Sequence, residues 1–267
     1  MNILEKIVET KRTELIQLKK SIPESILRDR PLFSRSCNSL KNALQDSDRP
    51  GIIAEFKQKS PSKGVINPNA NVVTVTQGYA AAGAAGLSVL TDQVYFGGEL
   101  GNLEKARMAN PGIPILRKDF IIDTYQITEA KAFGADVILL IAACLEKLEI
   151  HELAGKAREL GLEVLLEIHG EDELEKISPL VDMVGVNNRN LKTFEVDLGI
   201  SKKLSTQIPD QFLKITESGI SGSQDIVQLF HDGYKGFLIG ETFMKTSDPA
   251  LACRGLIREI RDISVKR

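Results

Sequence analysis

Eight short apolar runs, separated by stretches with helical periodicity, constrain the fold of this chain most strongly. Alternation of strand-like and helix-like segments is typical of repeated βα units. Eight strands that are each followed by a helix predict a closed (β/α)8 TIM barrel, an α/β fold with a parallel sheet and a functional site at the carboxyl ends of its strands. The runs cover residues 52–57, 87–91, 115–118, 137–142, 164–168, 183–187, 213–216 and 237–239.

An open, doubly wound sheet is the alternative arrangement of the same units. Such sheets usually carry a glycine-rich phosphate turn after the first strand and one ligand crevice. Here polar residues follow many of the runs, which favours the barrel. Four glycines stand where helices should end before the next strand and are expected to form left-handed caps; they are Gly83, Gly134, Gly161 and Gly233.

The segment before the first run is expected to be a helical extension of the barrel. Residues 1–20 place apolar side chains at helical spacing among charges, and Leu40, Ala43 and Leu44 suggest a second short helix. A length of 267 residues is typical of a single barrel domain. We therefore predict one domain, 1–267, with an extension at 1–50 and a barrel at 51–267.

Composition and charge exclude several classes of protein. The net charge is −2, from 34 basic and 36 acidic residues that are mixed throughout, so no basic field favours a nucleic acid partner. Three scattered cysteines fit neither a disulfide framework nor a metal-binding spacing, which favours a reducing compartment. Because no apolar run resembles a signal peptide or a membrane helix, we predict a cytoplasmic protein without a membrane partner.

The stretch at 52–64 combines an apolar strand with charges and a loop that contains Pro61 and Gly64. Alternation along a strand points Glu55, Lys57 and, if the strand persists, Lys59 to one side, and Phe56 to the other. Burial of such charges costs several kcal/mol per ion unless they are paired, which indicates either good pairing or a function. The competing interpretation is a surface strand with a solvated face, and the loop that follows is a candidate lid.

Polar side chains at the ends of several other predicted strands would meet Glu55 and Lys57 if the barrel closes. Lys118 could act as a general acid, because carboxylates at Glu55 and Glu167 favour its ammonium form, although Lys57 would oppose it. Its alternative role is an ion pair that only closes the barrel top. The residues at strand ends are Lys59, Ser60, Lys118, Glu167, Asn187, Arg189, Glu217, Ser218, Gly219, Gly240 and Glu241.

Two glycine-containing turns follow the seventh and eighth strands, at 217–222 and 239–242. Phosphate binds at this place in many barrels, so we expect a phosphorylated ligand. Phe96 and Phe120 either line an aromatic ligand site or anchor their loops. His169 could face the site, but three histidines without a suitable spacing predict no metal.

These motifs resemble the indole-3-glycerol phosphate synthase family, and the resemblance covers most of the chain. Gln58, where the family often has a basic residue, and Glu99, where a serine commonly follows the glycines, depart from the pattern. The matching strings are residues 53–64, Val89-Leu90-Thr91-Asp92, Leu116-Arg117-Lys118-Asp119-Phe120, Leu166-Glu167, Gly185-Val186-Asn187-Asn188-Arg189-Asn190-Leu191, Glu217-Ser218-Gly219-Ile220 and Gly240-Glu241-Thr242-Phe243-Met244.

The resemblance implies closure of a ring in 1-(2-carboxyphenylamino)-1-deoxyribulose 5-phosphate, with loss of carbon dioxide and water, and it implies no cofactor. Lys118 would be the general acid, and Glu167 with Lys57 would serve dehydration. It implies that Glu55 positions the lysines, that Asn187 and Ser218 hold hydroxyl and amino groups, and that Arg189 and Glu217 order the site. Lys59 would begin a loop that reaches for substrate.

The resemblance also implies where the two ends of the substrate bind. The phosphate would be bound by Lys57, Ser60, Gly219, Gly240 and Glu241, and the aromatic ring would be surrounded by Phe96, Phe120, Leu191 and Leu238.

Other functions stay open at the level of sequence. An Amadori-type isomerase would favour a cysteine and an aspartate as acid and base, an aldolase would use Lys118 as a Schiff-base lysine, and a sensor would only bind the phosphorylated metabolite. The small phosphorylated substrate is the expected partner. We expect a monomer, with other tryptophan-pathway enzymes as alternative partners.

Overall fold

The chain folds into a closed barrel of eight parallel strands in a computed structural model that describes residues 2–191 and 193–265. We number the barrel strands in chain order. They are β1 (Ile52–Phe56), β2 (Gly86–Leu90), β3 (Ile115–Lys118), β4 (Val137–Ile141), β5 (Glu163–Ile168), β6 (Met183–Asn187), β7 (Leu213–Glu217) and β8 (Gly236–Ile239). Each lies within one residue of its predicted run, and β8 pairs with β1 to close the sheet.

Helices surround the barrel and also form the extension that precedes it. The extension holds Ile3–Ser21, Glu24–Arg28 and Leu40–Gln45. The α-helices after the strands are Val72–Ala82, Leu100–Ala109, Thr124–Ala132, Lys147–Glu159, Gly199–Leu204, Ser223–His231, Glu241–Met244 and Pro249–Val265. The first residue of the predicted first helix, residue 1, lies outside the described residues, whereas Glu24–Arg28 was not foreseen.

Two connections differ from a simple strand–helix repeat. After β5 the chain forms 3-10 turns at Glu171–Lys176 instead of an α-helix. After β1 it forms a small antiparallel hairpin, Lys59–Ser60 with Gly64–Val65. The strand therefore ends at Phe56, and the expected alternation does not continue to Lys59.

Side-chain alternation along the strands divides the core into two layers. Ile52, Ala54 and Phe56 of β1 pack outward against the surrounding helices, as predicted for Phe56, whereas Ile53 packs inside the barrel. Glu55, next along the inward face, lines the mouth. The four glycines expected as helix caps all have positive φ angles, between 72° and 98°.

The floor of the barrel is closed by the extension helix Leu40–Gln45. Leu40 and Leu44 pack into the inner core with Ile53 and the apolar residues of the other strands. Gly86 and Gly236 leave room for them: a Cβ at either position would lie against a leucine methyl group. The closed floor leaves the carboxyl ends of the strands as the open face of the barrel.

Candidate active site

A cavity of about 490 Å³ opens at the carboxyl ends of the strands. Every residue predicted for the site lines it, with the exception of Lys59. The lining residues among those predicted are Glu55, Lys57, Ser60, Phe96, Lys118, Phe120, Glu167, Asn187, Arg189, Leu191, Glu217, Ser218, Gly219, Leu238, Gly240 and Glu241.

Lys59 lies elsewhere because it belongs to the hairpin after β1. Its ammonium donates a hydrogen bond to the carbonyl oxygen of Val94, at 3.1 Å, in the loop after β2. The expectation that Lys59 would face the mouth with Lys57 depended on a longer strand. Lys59 connects two loops in this structure and does not reach the cavity.

Lys118 stands at the centre of the cavity, where β3 ends. Its Nζ donates to Glu167 Oε2 of β5 at 2.9 Å and to both carboxylate oxygens of Glu217 of β7 at 2.7 and 2.9 Å. Inward-pointing residues of alternate strands share a layer in such barrels, which explains why these three side chains meet. One ammonium group is therefore held between two carboxyl groups.

The charge state of Lys118 is set mainly by those neighbours. Burial acts to lower its pKa, but Glu167, Glu217 and Glu55 together raise it above the ordinary value. Lys57, which was expected to oppose the ammonium form, is engaged with Glu55 instead, at 2.6 Å between Nζ and Oε1. These carboxyl groups hold Lys118 in the ammonium form, which is the form that a general acid needs.

The two carboxyl groups around Lys118 differ from each other. Burial and the neighbouring Glu167 raise the pKa of Glu217 to about 8. Burial also acts to raise the pKa of Glu167, but Lys118 and His169 outweigh it and hold that pKa well below its usual range. Asn187 donates to Glu167 Oε1 at 3.1 Å and further favours its ionised form. At neutral pH Glu167 is a carboxylate, whereas Glu217 retains a proton.

The two glycine-containing turns after β7 and β8 form another part of the cavity lining. Ser218 and Gly219, after β7, both have positive φ angles, 67° and 81°, and such a conformation is uncommon for a serine. Thr242 Oγ1 donates to the carbonyl oxygen of Ile220 at 2.9 Å, so the turns after β7 and β8 lie side by side. The Arg189 guanidinium points to the same place, 3.6 Å from Glu241 Oε2.

Glu55 explains why the turn after β8 contains Gly240. A Cβ at position 240 would overlap the carboxyl group of Glu55. The glycine thus allows Glu55, which is buried and pairs with Lys57, to lie directly beneath the turn.

Phe96 and Phe120 form one aromatic side of the cavity, with ring centroids 6.0 Å apart and planes tilted by 40°. Their loops are held by two aspartates that the sequence predictions did not include. Asp92 Oδ1 accepts from the backbone N–H of Phe96 at 3.1 Å, and Asp119 Oδ1 accepts from that of Phe120 at 2.8 Å. The rings line the cavity and are also anchored.

The extension helix Ile3–Ser21 fixes both aspartates through one buried lysine. Lys11 Nζ lies 3.0 Å from Asp92 and 3.1 Å from Asp119. Asp119 directly follows β3 and Asp92 is the second residue after β2, which is a signal that could have identified them, whereas Lys11 is one of several lysines in its helix. Within the described ranges, no group of three or more histidine, cysteine, aspartate or glutamate side chains could hold a metal ion.

Comparison with known proteins identifies the family. A model of the indole-3-glycerol phosphate synthase family matches residues 4–256, which is most of the chain. The chain belongs to this family. The predicted family and the predicted activity, a carboxy-lyase of tryptophan biosynthesis, are thereby confirmed, and the synthase is favoured over the isomerase, aldolase and sensor alternatives.

Relatives in the synthase family match the chain over nearly its whole length. The indole-3-glycerol phosphate synthase of Bacteroides thetaiotaomicron is 46% identical over 260 residues, which are 97% of this chain and 99% of the relative. That of Laribacter hongkongensis is 43% identical over 256 residues, 94% of this chain and 97% of the relative.

Solved structures with low sequence identity share the barrel. A 3-hexulose-6-phosphate synthase from Salmonella typhimurium has a TM-score of 0.64 at 13% identity and covers 79% of this chain and 99% of its own. A tryptophan synthase alpha subunit from Legionella pneumophila has a TM-score of 0.62 at 13% identity and covers 87% of this chain and 100% of its own. These likenesses confirm the predicted fold. No helix in the described part of the chain is long and apolar enough to cross a membrane.

Proposed function

We propose that Lys118 is the general acid in ring closure of 1-(2-carboxyphenylamino)-1-deoxyribulose 5-phosphate at this cavity. The position of its ammonium group, held by Glu167 and Glu217 at the centre of the cavity, is the observation that carries the proposal. The ring carbon that bears the carboxylate attacks the ribulose carbonyl carbon, a C–C bond forms, and the carbonyl oxygen takes a proton from Lys118. Loss of carbon dioxide returns the bonding electrons to the ring.

Loss of water requires a second proton transfer to the new hydroxyl group and a base. Glu167, ionised and 2.9 Å from Lys118, is the proposed base, and Lys57 assists at the leaving hydroxyl. Glu217 retains a proton near neutral pH and contacts the Lys118 Nζ at 2.7 Å, so it can return a proton to that lysine. In this scheme Glu55 positions Lys57 through their 2.6 Å contact.

The remaining lining residues are proposed to hold the substrate. The phosphate would lie on the adjacent turns after β7 and β8, with Arg189, Lys57 and Ser60 as further donors. Phe96, Phe120, Leu191 and Leu238 would surround the aromatic ring, while Asn187 and Ser218 would hold hydroxyl and amino groups. Lys59 is left out of this set because its ammonium is engaged at Val94.

We further propose that the protein acts as one domain and as a monomer in the cytoplasm. The single domain is supported by buried contacts that tie the extension to the barrel, such as those of Lys11 and Leu40. The small phosphorylated substrate is the proposed partner.

Incubation of the purified protein with the carboxyphenylamino substrate tests the proposed reaction. We expect indole fluorescence to appear together with one equivalent of carbon dioxide. Absence of both products from a folded protein would reject the proposed function.

A further inference from the structure

His169 lies behind the proposed base, immediately after β5 and outside the cavity lining. Its Nε2 is 3.2 Å from Glu167 Oε1, and its Nδ1 is 3.4 Å from Glu173 Oε2. The backbone N–H of His169 also donates to Glu173 Oε2, at 2.6 Å. Only 14% of the histidine side chain is exposed, so the ring is held between two carboxyl groups and away from solvent.

The two contacts indicate the protonation state of the ring. A neutral imidazole has one donor and one acceptor nitrogen, whereas an ionised carboxylate only accepts. Both ring nitrogens lie close to carboxylate oxygens, at 3.2 and 3.4 Å, which favours the charged ring that carries a proton on each nitrogen. Neither nitrogen makes a hydrogen bond of good angular geometry, so the attraction is one of charge. Burial acts to lower the pKa of His169, but Glu167 and Glu173 raise it to about 10.

Polar and charged side chains from several elements pack around Glu167 and His169. Glu167 faces Lys118 of β3, Asn187 of β6 and Glu217 of β7. Near Glu167 and Glu173 lies the Cys144 thiol, whose pKa burial raises to about 12, so that it carries no charge at neutral pH. The Lys176 ammonium, close to this thiol, donates to the carbonyl oxygens of Ala142 and Leu145.

These contacts make the two carboxyl groups at Lys118 unequal. Glu167 and Glu217 both contact the same ammonium, but only Glu167 has a second cation, His169, behind it. Two carboxyl groups that share a buried site do not ionise equally, and a local positive charge decides which of them does. We propose that His169 is a positioning residue for the reaction: fixed by Glu173 as an imidazolium, it holds Glu167 ionised and oriented towards Lys118.

This inference rests on the proposed function, because it matters for turnover only if Glu167 is the base. His169→Asn removes the charge and retains a polar side chain of similar reach. Without the imidazolium, Glu167 should take up a proton more readily, so a smaller fraction is in the basic form at low pH. Glu173→Gln should lower the ionised fraction of Glu167 in the same way but by less, because the imidazole ring remains and loses only its second carboxylate.

The first experiment compares the pH dependence of kcat and KM for the intact protein, His169→Asn and Glu173→Gln. We expect His169→Asn to move the acid limb of the kcat profile up by about one pH unit and to lower kcat by up to about tenfold within that limb, while kcat at higher pH and KM change less than about twofold. His151→Asn, at an exposed histidine outside the cavity, is the matched control and should change neither. An equal loss of kcat at all pH values, or no loss, would overturn the proposal.

The second experiment does not depend on turnover. Nitrogen-15 NMR of the intact protein, with the His169 signal identified by its absence from His169→Asn, should show an imidazolium from pH 6 to pH 8.5. In Glu173→Gln the ring should lose its proton at lower pH. A neutral His169 ring at pH 7 in the intact protein would refute the inference even if the synthase reaction is observed. A charged ring in a protein without synthase activity would reject the proposed function alone.

Discussion

At the scale of single residues, the site depends on how charge is divided around Lys118. An ammonium group in a cavity with low exposure needs opposite charge nearby, and Glu167 supplies it at 2.9 Å. Glu217, with its pKa raised to about 8, supplies a proton store. In the proposed mechanism, these three residues would serve as the acid, the base and a reserve of protons at one point of the cavity.

Glu167→Gln tests the role of the base. The amide retains the shape of the side chain but cannot accept a proton, so kcat should fall by about 10² or more while substrate affinity changes only a few-fold. Steady-state kinetics together with binding of a non-reacting substrate analogue measure the two effects. Glu175→Gln, at an exposed glutamate after β5, is the control and should behave as the intact protein. Equal losses in binding and turnover would indicate a structural role for Glu167.

Most of the predicted residues line the cavity, but their charge states could not be predicted from the sequence. Glu55, Lys118, Glu167 and Glu217 were predictable because strand alternation and the position of each strand end determine where they point. The difference between the two carboxyl groups was not, because it depends on burial and on the contacts of Glu167 with Lys118 and His169 in the folded geometry.

At the scale of elements, the extension acts on the site from two sides. The helix Leu40–Gln45 closes the floor with Leu40 and Leu44, and the helix Ile3–Ser21 reaches the loops after β2 and β3 through Lys11. Periodicity predicted that both segments are helical. It did not predict their docking, since the partners of Lys11 are far away in sequence, although its spacing of four residues from Ile7 and from Leu15 places this lysine on the buried face of its helix.

Lys11→Met should destabilise the protein strongly. The substitution leaves Asp92 and Asp119 buried without this cation, and removal of one partner from a buried ion pair typically costs about 3–5 kcal/mol. Urea denaturation measures the free energy of unfolding. Lys20→Met, at an exposed lysine of the same helix, is the matched control and should change that free energy by less than about 0.5 kcal/mol. Similar values for both variants would show that the buried contacts contribute little.

The hairpin after β1 marks where prediction of elements failed. The run of Lys57 and Lys59 is compatible with a longer strand, but the chain leaves the barrel after Phe56 and pairs Lys59 with Val65. Strand alternation cannot identify such an exit, because hairpin pairing depends on residues further along the loop. Lys59, predicted to begin a loop that reaches for substrate, does lie in a loop after β1, but outside the cavity lining.

At the scale of the whole molecule, the site affects stability as well as chemistry. Glu217 has a folded-state pKa raised to about 8, above the ordinary value for a glutamate. The stability that such a group contributes is fully present below its pKa in the unfolded chain, which is about 4.3. It is lost as the pH rises towards its pKa in the folded protein, about 8. The protein should therefore lose stability between pH 5 and pH 8 because of this one carboxyl group.

Glu217→Gln tests this pH dependence. A glutamine resembles the protonated acid, so the variant and the intact protein should have similar free energies of unfolding at pH 5. At pH 8 the variant should be the more stable of the two, because it does not lose the contribution that depends on protonation. Denaturation curves at both pH values, with Glu175→Gln as control, measure the difference. A difference that is the same at both pH values would contradict the raised pKa of Glu217.

Lys118→Ala, compared with the intact protein on the carboxyphenylamino substrate, tests the central claim most directly. We predict that substrate binding changes only a few-fold while turnover to the fluorescent indole product falls by about 10² or more, because the proton donor is lost. Lys147→Ala, at an exposed lysine outside the cavity, should turn over normally. Unchanged turnover in a folded Lys118→Ala protein would contradict the account.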